Sequence, residues 1–426
     1  MNYPSPSSGG SLPSTLQRLL RTVDQFLKVE TVGAVLLLIA TITALVWANA
    51  AESSYTAFWH TDLTHGRGPE LLARPLHFWV NDGLMTLFFL LVGLEIRAEA
   101  HDGVLALPRQ AVLPVVAALG GVIVPAIIFI GLNSSDPALR RGWGIPMATD
   151  IAFSAGALTL LGRRVPQSLR ILLLTLAIVD DIAAVLVIAL FYSNGIAWEG
   201  LVLAAGGAAS VLGLQVSGVR QVVAYVVPGF VIWIGLLHAG IHPTLAGVIL
   251  GIMTPVSQGS ASNPLQEDTT PVSRLKEVLH PWVALAVMPL FALANAGIGV
   301  RDLGASVAHS PSLFGGVLLG LVVGKPVGIL LASVLVVKCR AAQLPPDIRW
   351  RHLAVLGCLG GIGFTMSIFL ADLAFPPGDL VTTSKSAILL ASALAAVIGL
   401  VLGRCALPNP TAAPGPWPHP THRPGG

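Results

Sequence analysis

A chain of 426 residues with 54% hydrophobic and 11% charged residues, and a mean hydropathy of +0.78, is too apolar for a soluble enzyme. Its formal net charge of +3 is too small for a nucleic-acid-binding surface, and its basic residues are scattered between apolar runs instead of gathered on one segment. Three cysteines, Cys339, Cys358 and Cys405, have no metal-ligand spacing, which points away from a zinc site or a disulfide framework and toward free thiols.

In chain order, Met1 to Ser14 is rich in Ser, Pro and Gly and lacks the basic start and apolar core of a signal peptide. Leu16, Leu19, Leu20, Val23, Phe26 and Leu27 then recur at helical spacing, which predicts an amphipathic helix over Thr15 to Lys28 lying on the inner membrane surface. Residues 1–31 are thus read as a cytoplasmic tail. Windows of about 20 apolar residues predict membrane spans. In the first half these are Val32 to Ala50, His77 to Ile96, Val112 to Leu132, Gly142 to Leu161, Ser168 to Tyr192 and Glu199 to Val216. The second half predicts Val222 to Leu237, Ile241 to Thr254, Pro281 to Gly297, Ser312 to Val337, Leu353 to Ala371 and Lys385 to Leu402. The expected class is an all-α polytopic membrane protein with about twelve transmembrane helices within residues 32–402. Ala51 to Pro75 is too polar to span, and Gly66 and Gly68 could turn a short outer hairpin. Residues 403–426, Pro-rich from Pro408, read as a disordered cytoplasmic tail.

Cytoplasmic loops of membrane proteins are richer in Lys and Arg. With both ends of the chain inside, only Arg67, Arg74, Arg140, Arg141, Arg301 and Lys385 fall outside, and Lys325 falls within the membrane, out of 24 Lys and Arg. The bias places both termini in the cytoplasm.

Helix breakers mark two of the spans. Pro146 and the glycines at 142, 144 and 156 surround Thr149 and Asp150 in the fourth, and the eleventh reads Gly357-Cys-Leu-Gly-Gly-Ile-Gly-Phe-Thr-Met-Ser. Proline removes a backbone donor and glycine lowers the cost of unwinding. Interrupted spans at matching positions of two halves predict crossed half-helices at a midplane site, within an inverted repeat that relates spans three to five to spans ten to twelve. Half-helix ends carry about half an elementary charge each, positive at N-termini and negative at C-termini. Asp150 suits the positive ends. Lys325, centred in Gly320-Leu-Val-Val-Gly-Lys-Pro-Val-Gly, suits the negative ends or an aspartate partner. The plainer alternatives are a purely structural counter-charge for Asp150 and a snorkelling Lys325, against which its central position argues.

Asp180 and Asp181 lie at the centre of the fifth span. An acidic side chain there costs on the order of 3 kcal/mol on insertion scales, so such a pair signals ion or proton handling. Neighbours on a helix point about 100° apart, so one aspartate can face a water-filled cavity while the other faces Lys325. A carboxylate holds a hard cation such as sodium, or a proton, in competition. A structural helix contact is the alternative. An intramembrane aspartyl protease is a rival reading, but its Gly-x-Gly-Asp signature is missing: Met-Ala-Thr precedes Asp150 and Ala-Ile-Val precedes Asp180. A sodium-coupled symporter of an organic anion would want more Asn, Gln or Ser on the crossing spans.

The stretch Gly144-Ile-Pro-Met-Ala-Thr-Asp-Ile-Ala-Phe, the run Leu176-Ala-Ile-Val-Asp-Asp-Ile, His280-Pro-Trp-Val-Ala, Pro289-Leu-Phe-Ala-Leu-Ala-Asn-Ala-Gly, Gly324-Lys-Pro-Val-Gly and Gly361-Ile-Gly-Phe-Thr-Met-Ser resemble the NhaA family of bacterial sodium/proton antiporters. The resemblance runs from Lys28 to Leu402. It implies an inner-membrane exchanger that expels Na+ or Li+ against more than one proton, without enzymatic activity, organic cofactor or nucleic-acid partner. Asp181 would be the principal, transient Na+ or Li+ ligand, with Asp180 as its neighbour and the partner of Lys325. Thr149 and Asp150 would sit where the broken helices cross. The resemblance also implies a homodimer joined partly through the outer hairpin, and a pH response involving Glu95, Glu99 and His242 near the cytoplasmic funnel or the regulatory segment. One position departs: Lys276 stands where family members carry a glutamate, with Glu277 adjacent, which puts the pH midpoint in doubt. Asp82 reads as structural.

Overall fold

A computed structural model describes residues 14–62, 73–101, 103–193, 195, 197–219, 221–256, 270–299, 304 and 307–407. Among these the chain is helical, with no strand beyond one antiparallel bridge between Asp62 and Pro75. Helix α1 (Ser14–Ala50) leads into the short α2 (Glu52–Trp59), and α3 (Leu76–His101) and α4 (Pro108–Leu132) follow. A 3-10 turn over Arg141–Met147 precedes α5 (Ile151–Leu160), and α6 (Gln167–Phe191) carries the two adjacent aspartates. Helices α7 (Trp198–Val216), α8 (Val222–Ala239), α9 (Leu245–Met253), α10 (Pro271–Asn295) and α11 (Pro311–Lys338) continue the chain. It closes with α12 (Trp350–Gly360), α13 (Phe364–Ala374) and α14 (Asp379–Ala406).

Nine helices among the described residues are long and apolar enough to cross a membrane, and α12 with α13, bent by 46° at their junction, would make a tenth. The expected count of twelve is not reached by continuous helices. Its fourth span is divided by the break at 148–150, and its eighth is α9, nine residues long. Nine residues rise only about 14 Å, half of a hydrocarbon core near 30 Å. The helix expected at Thr15 to Lys28 is continuous with the first span instead of separated from it by a turn. Of the tails expected at 1–31 and 403–426, residues 14–31 belong to α1 and 403–406 continue α14, which corrects the disorder expected there; 1–13 and 408–426, and the turn expected at Gly66 and Gly68, lie outside the described residues.

Small residues let the helices approach. α4 runs along α11, where a Cβ on Gly120 would strike the backbone of Gly328 and one on Gly328 would strike Gly120. α3 meets α9 in the same way through Gly93 and Gly251. Without a hydrophobic drive between helices in lipid, such close backbone contact supplies the attraction. The consequence is an unequal burial. In its most apolar stretch α6 is 67% buried, against 22% for α7 and 28% for α1, so among the nine long spans the aspartates ride on the most buried.

Candidate functional site

Each break leaves backbone groups without helical partners, and the two breaks meet. Asp150 N–H donates to Ile362 O at 2.7 Å, and the hydroxyl of Ser154 donates to Leu359 O at 2.9 Å. Ser367 Oγ donates to Ile145 O at 2.8 Å in return. The crossing expected from Pro146 and the paired glycines is therefore present, and side chains close it in both directions.

Asp150 caps two helices. Its Oδ1 accepts from Phe153 N–H of α5 at 3.0 Å, and its Oδ2 accepts from Thr365 N–H of α13 at 3.2 Å and from the Thr365 hydroxyl. An anion at two helix N-termini is the arrangement that orphan N–H groups and the helix dipole both favour. Lys325 performs the complementary task. A wide π-helical turn over Gly320–Gly324 sets the backbone immediately before it, and its Nζ donates to Met147 O at the carbonyl end of the 3-10 turn. Nζ also lies 2.9 Å from Asp180 Oδ2. Thr149 Oγ1 lies 2.7 Å from the same carboxylate oxygen and 2.9 Å from Gly360 O, two acceptors for one hydroxyl proton. Thr149, Asp150, Asp180 and Lys325 have 0% exposure.

Asp181 differs from its neighbour. It is 3% exposed, and its Oδ2 is buried with no protein donor; Asp180 Oδ1 is a second buried oxygen without one. Among the described residues no hydrogen bond or ion pair reaches the Asp181 carboxylate, yet Glu95, Asp180, Asp150 and Lys325 all lie within electrostatic reach of it. Buried polar atoms are nearly always hydrogen-bonded, and an ionised carboxylate without a partner is far too costly to leave bare. An unpartnered carboxylate at this depth is suited to a proton or a hard cation. The 100° offset along α6 separates one salt-bridged aspartate from one unpartnered aspartate.

The residues expected for a pH response divide into separate places. Glu95 Oε1 lies 3.3 Å from Lys276 Nζ, joining α3 to α10, so the departure at Lys276 is matched by an opposite charge. Glu99 Oε2 accepts from Val104 N–H at 2.9 Å, after the end of α3, and Glu277 is exposed on the same helix as Lys276. His242 is not with them. Its Nε2 lies 3.0 Å from Asp82 Oδ1, its Nδ1 lies 2.7 Å from Thr244 Oγ1, and its ring stands edge-on to Phe369 of α13. Asp82 and Glu95 are thirteen positions apart on α3, roughly 20 Å along the axis. Asp82, expected to be structural, is thus the partner of a titratable group.

Thr365, His280 and Asn295 lie within stretches that carry the family resemblance, but they, like Glu30, were not expected among the site residues. Thr365 gives Asp150 two of its three donors. Glu30 of α1 and His280 of α10, both buried, lie 2.8 Å apart. Asn295, at the end of α10, accepts from or bonds to His77, Asn81 and Lys385, and Lys385 Nζ lies 2.9 Å from Asp372 Oδ1 of α13. Each pairing spans tens to hundreds of residues, and only a polar residue inside an apolar run could have flagged one partner of it.

Comparison with known proteins shows the family and the fold. The family described as Na+/H+ antiporter 1 matches residues 24–402. A protein of Acidovorax sp. named Na+/H+ antiporter NhaA is 52% identical over 378 residues, covering 88% of this chain and 89% of its own. Na+/H+ antiporter NhaA 2 of Sorangium cellulosum is 48% identical over 425 residues, with 91% of each chain covered. The solved structure of the sodium proton antiporter MjNhaP1 from Methanocaldococcus jannaschii aligns with a TM-score of 0.52 over 92% of this chain and 100% of that one, at 13% identity, a likeness of fold alone. With a family match over most of its length and relatives this similar, the chain belongs to the Na+/H+ antiporter 1 family.

Proposed function

We propose that this chain is a secondary active antiporter of the bacterial inner membrane that exchanges cytoplasmic Na+ or Li+ for external protons at Asp180 and Asp181. The observation that carries the reading is the buried Asp181 carboxylate with no protein partner, beside an Asp180 that has one. Asp181 binds the cation or a proton, one excluding the other. Asp180 couples the exchange to Lys325: its free oxygen can reach toward the cation while the other stays on Lys325, and when the carboxyl takes a proton Lys325 loses its counter-charge, which links the two events. Asp150 and Thr149 hold the crossing in register while one group of helices moves against the other to alternate access. If more than one proton enters per cation, the exchange is electrogenic, and the membrane potential contributes roughly 2.3 kcal/mol per net charge per 100 mV.

The wider reading keeps residues 1–31 and 403–426 as cytoplasmic tails and 32–402 as the transport domain of twelve passes, related by an inverted repeat, with the broken spans counted as passes. The chain works as a homodimer in the lipid bilayer, needs no organic cofactor and catalyses no covalent reaction. Its pH response draws on Glu95, Lys276 and Glu99 on the inner side and on His242 with Asp82 on the other. Everted vesicles test the core of this. Adding Na+ or Li+ to a lumen acidified by respiration is expected to release protons with the wild-type chain, and Asp181→Asn is expected to abolish the release; normal exchange in that variant would remove Asp181 from the site.

A further inference from the structure

On the outer side, in the orientation proposed above, the 3-10 turn before the first break, the end of α6 and the end of α13 enclose a cavity of about 360 Å³. Its walls are of two kinds. Arg140 and Arg141 are exposed on one, and neither forms an ion pair with any described residue. On the other, Trp143 packs edge-on against Phe191 with ring centroids 5.2 Å apart. Phe191 is 61% exposed at the last turn of an apolar span, so its open face meets lipid. Tyr192 ties the walls together, its hydroxyl donating to Arg141 O at 2.8 Å. Leu373 of α13 lines the remainder.

Two guanidinium groups without carboxylates present forks suited to phosphate oxygens. They stand where the apolar span ends, which is the depth of a lipid headgroup, and an aromatic pair lies between them and the hydrocarbon. A free inorganic anion would satisfy the arginines and leave the aromatic wall unused. A zwitterionic headgroup would bring its own cation toward two like charges. We propose that this cavity binds the phosphate headgroup of an anionic phospholipid, with Arg140 and Arg141 on the phosphate oxygens and Trp143 and Phe191 against the glycerol and first methylenes. The lipid then bridges the segment entering the first break, the helix that carries Asp180 and Asp181, and the half-helix leaving the second break. This site is separate from the ion pair at the midplane and stands whether or not the transport reading does.

Titrating the purified full chain in detergent with phosphatidylglycerol, phosphatidylcholine or sodium phosphate, read by native mass spectrometry, tests it. Wild type is expected to bind phosphatidylglycerol more tightly than phosphatidylcholine. Arg140→Gln with Arg141→Gln is expected to weaken phosphatidylglycerol about tenfold or more, since each basic residue near an anionic headgroup contributes on the order of 1 kcal/mol. Arg140→Lys with Arg141→Lys keeps the charge and loses the fork, so its phosphatidylglycerol binding is expected to fall between wild type and the double Gln variant. Phe191→Ser is expected to weaken the lipid and leave phosphate unchanged. Equal phosphatidylglycerol binding by wild type and the double Gln variant overturns the proposal. So does phosphate binding as tight as lipid binding, which would make this a free-anion site. Should the double Gln variant fail to fold, equal affinity of wild type for the two lipids overturns it instead.

Discussion

The two helix breaks meet at one point and differ in what they place there: the charged side chain sits on the first, and the residues without side chains sit on the second. The first, Ala148 to Asp150, contributes side chains: Thr149 to Asp180 and to Gly360 O, and Asp150 to the starts of α5 and α13. The second side contributes mostly backbone: the carbonyls of Leu359 and Gly360, which end α12, and of Ile362 receive the Ser154 hydroxyl, the Thr149 hydroxyl and Asp150 N–H, while Thr365 and Ser367 of α13 return hydroxyls to Asp150 and Ile145 O. Space explains the glycines. A Cβ on Gly361 would run into the Leu321 carbonyl oxygen, and one on Gly363 would run into the Ser367 side chain. The difference teaches that one break is written in charge and the other in volume, so substitutions in the two are expected to fail in different ways.

The largest effect belongs to the charged break. Asp150→Ala removes the acceptor for three donors at once, and each buried donor left unsatisfied costs about 1–3 kcal/mol. Exchange in everted vesicles is expected to vanish, and the melting temperature of the purified protein is expected to fall sharply. Asp150→Asn keeps one acceptor oxygen and is expected to fold with much reduced exchange. Full activity of the alanine variant would show that the half-helix N-termini need no counter-charge. Next comes the glycine break. At Gly361 the obstacle is backbone, which yields poorly, so Gly361→Ala is expected to lose about 1–3 kcal/mol of stability, as overpacking does. The protein that remains folded is expected to keep its apparent Na+ affinity. A changed affinity without a change in melting would place chemistry at the second break and dissolve the contrast.

This contrast also explains what the sequence revealed. Pro146, the glycine run at 357–363, and charges at 150, 180, 181 and 325 each violate an apolar background, so their types and approximate depth were legible. Their partners were not. Nothing in the chain between Asp150 and Thr365 says that they touch, and the strongest acceptors for Lys325 and Thr149 besides Asp180 are carbonyls, which every residue has. Span counting hid the interruptions for the same reason: hydropathy averages across a break that the backbone does not cross as one helix. The separation of His242 from Glu95 was hidden because a resemblance groups residues by role, while Asp82 and Glu95 sit at distant levels of α3. Thr365→Val is a smaller probe of what was missed. The Thr365 N–H still reaches Asp150 Oδ2, so losing the hydroxyl is expected to cost about 1 kcal/mol and to slow exchange several-fold without abolishing it. A melting curve and an exchange rate check this, and an exchange rate equal to wild type would limit the hydroxyl to packing.

The smallest effect is expected at the inner edge, where Lys276 meets Glu95. Lys276 is 30% exposed over a buried Glu95, and a pair with one solvated partner contributes on the order of 1 kcal/mol. One pH unit corresponds to about 1.4 kcal/mol of differential interaction, so Lys276→Glu is expected to move the pH midpoint of exchange by less than about one unit. Glu95 acts on Asp181 only through space, so the substitution changes the field at the site and not its ligands. The sign of the larger pH dependence follows from competition. With proton and cation competing for Asp181 as proposed, lowering pH is expected to protonate the carboxylate and exclude Na+, and raising pH is expected to improve apparent Na+ affinity. That improvement is expected in wild type and Lys276→Glu alike when exchange is titrated with Na+ at several pH values. If Na+ affinity proves independent of pH in wild type, proton and cation do not share Asp181. If only Lys276→Glu loses the dependence, the response resides in the Lys276–Glu95 pair, and the division between a midplane exchange site and a peripheral modulator fails.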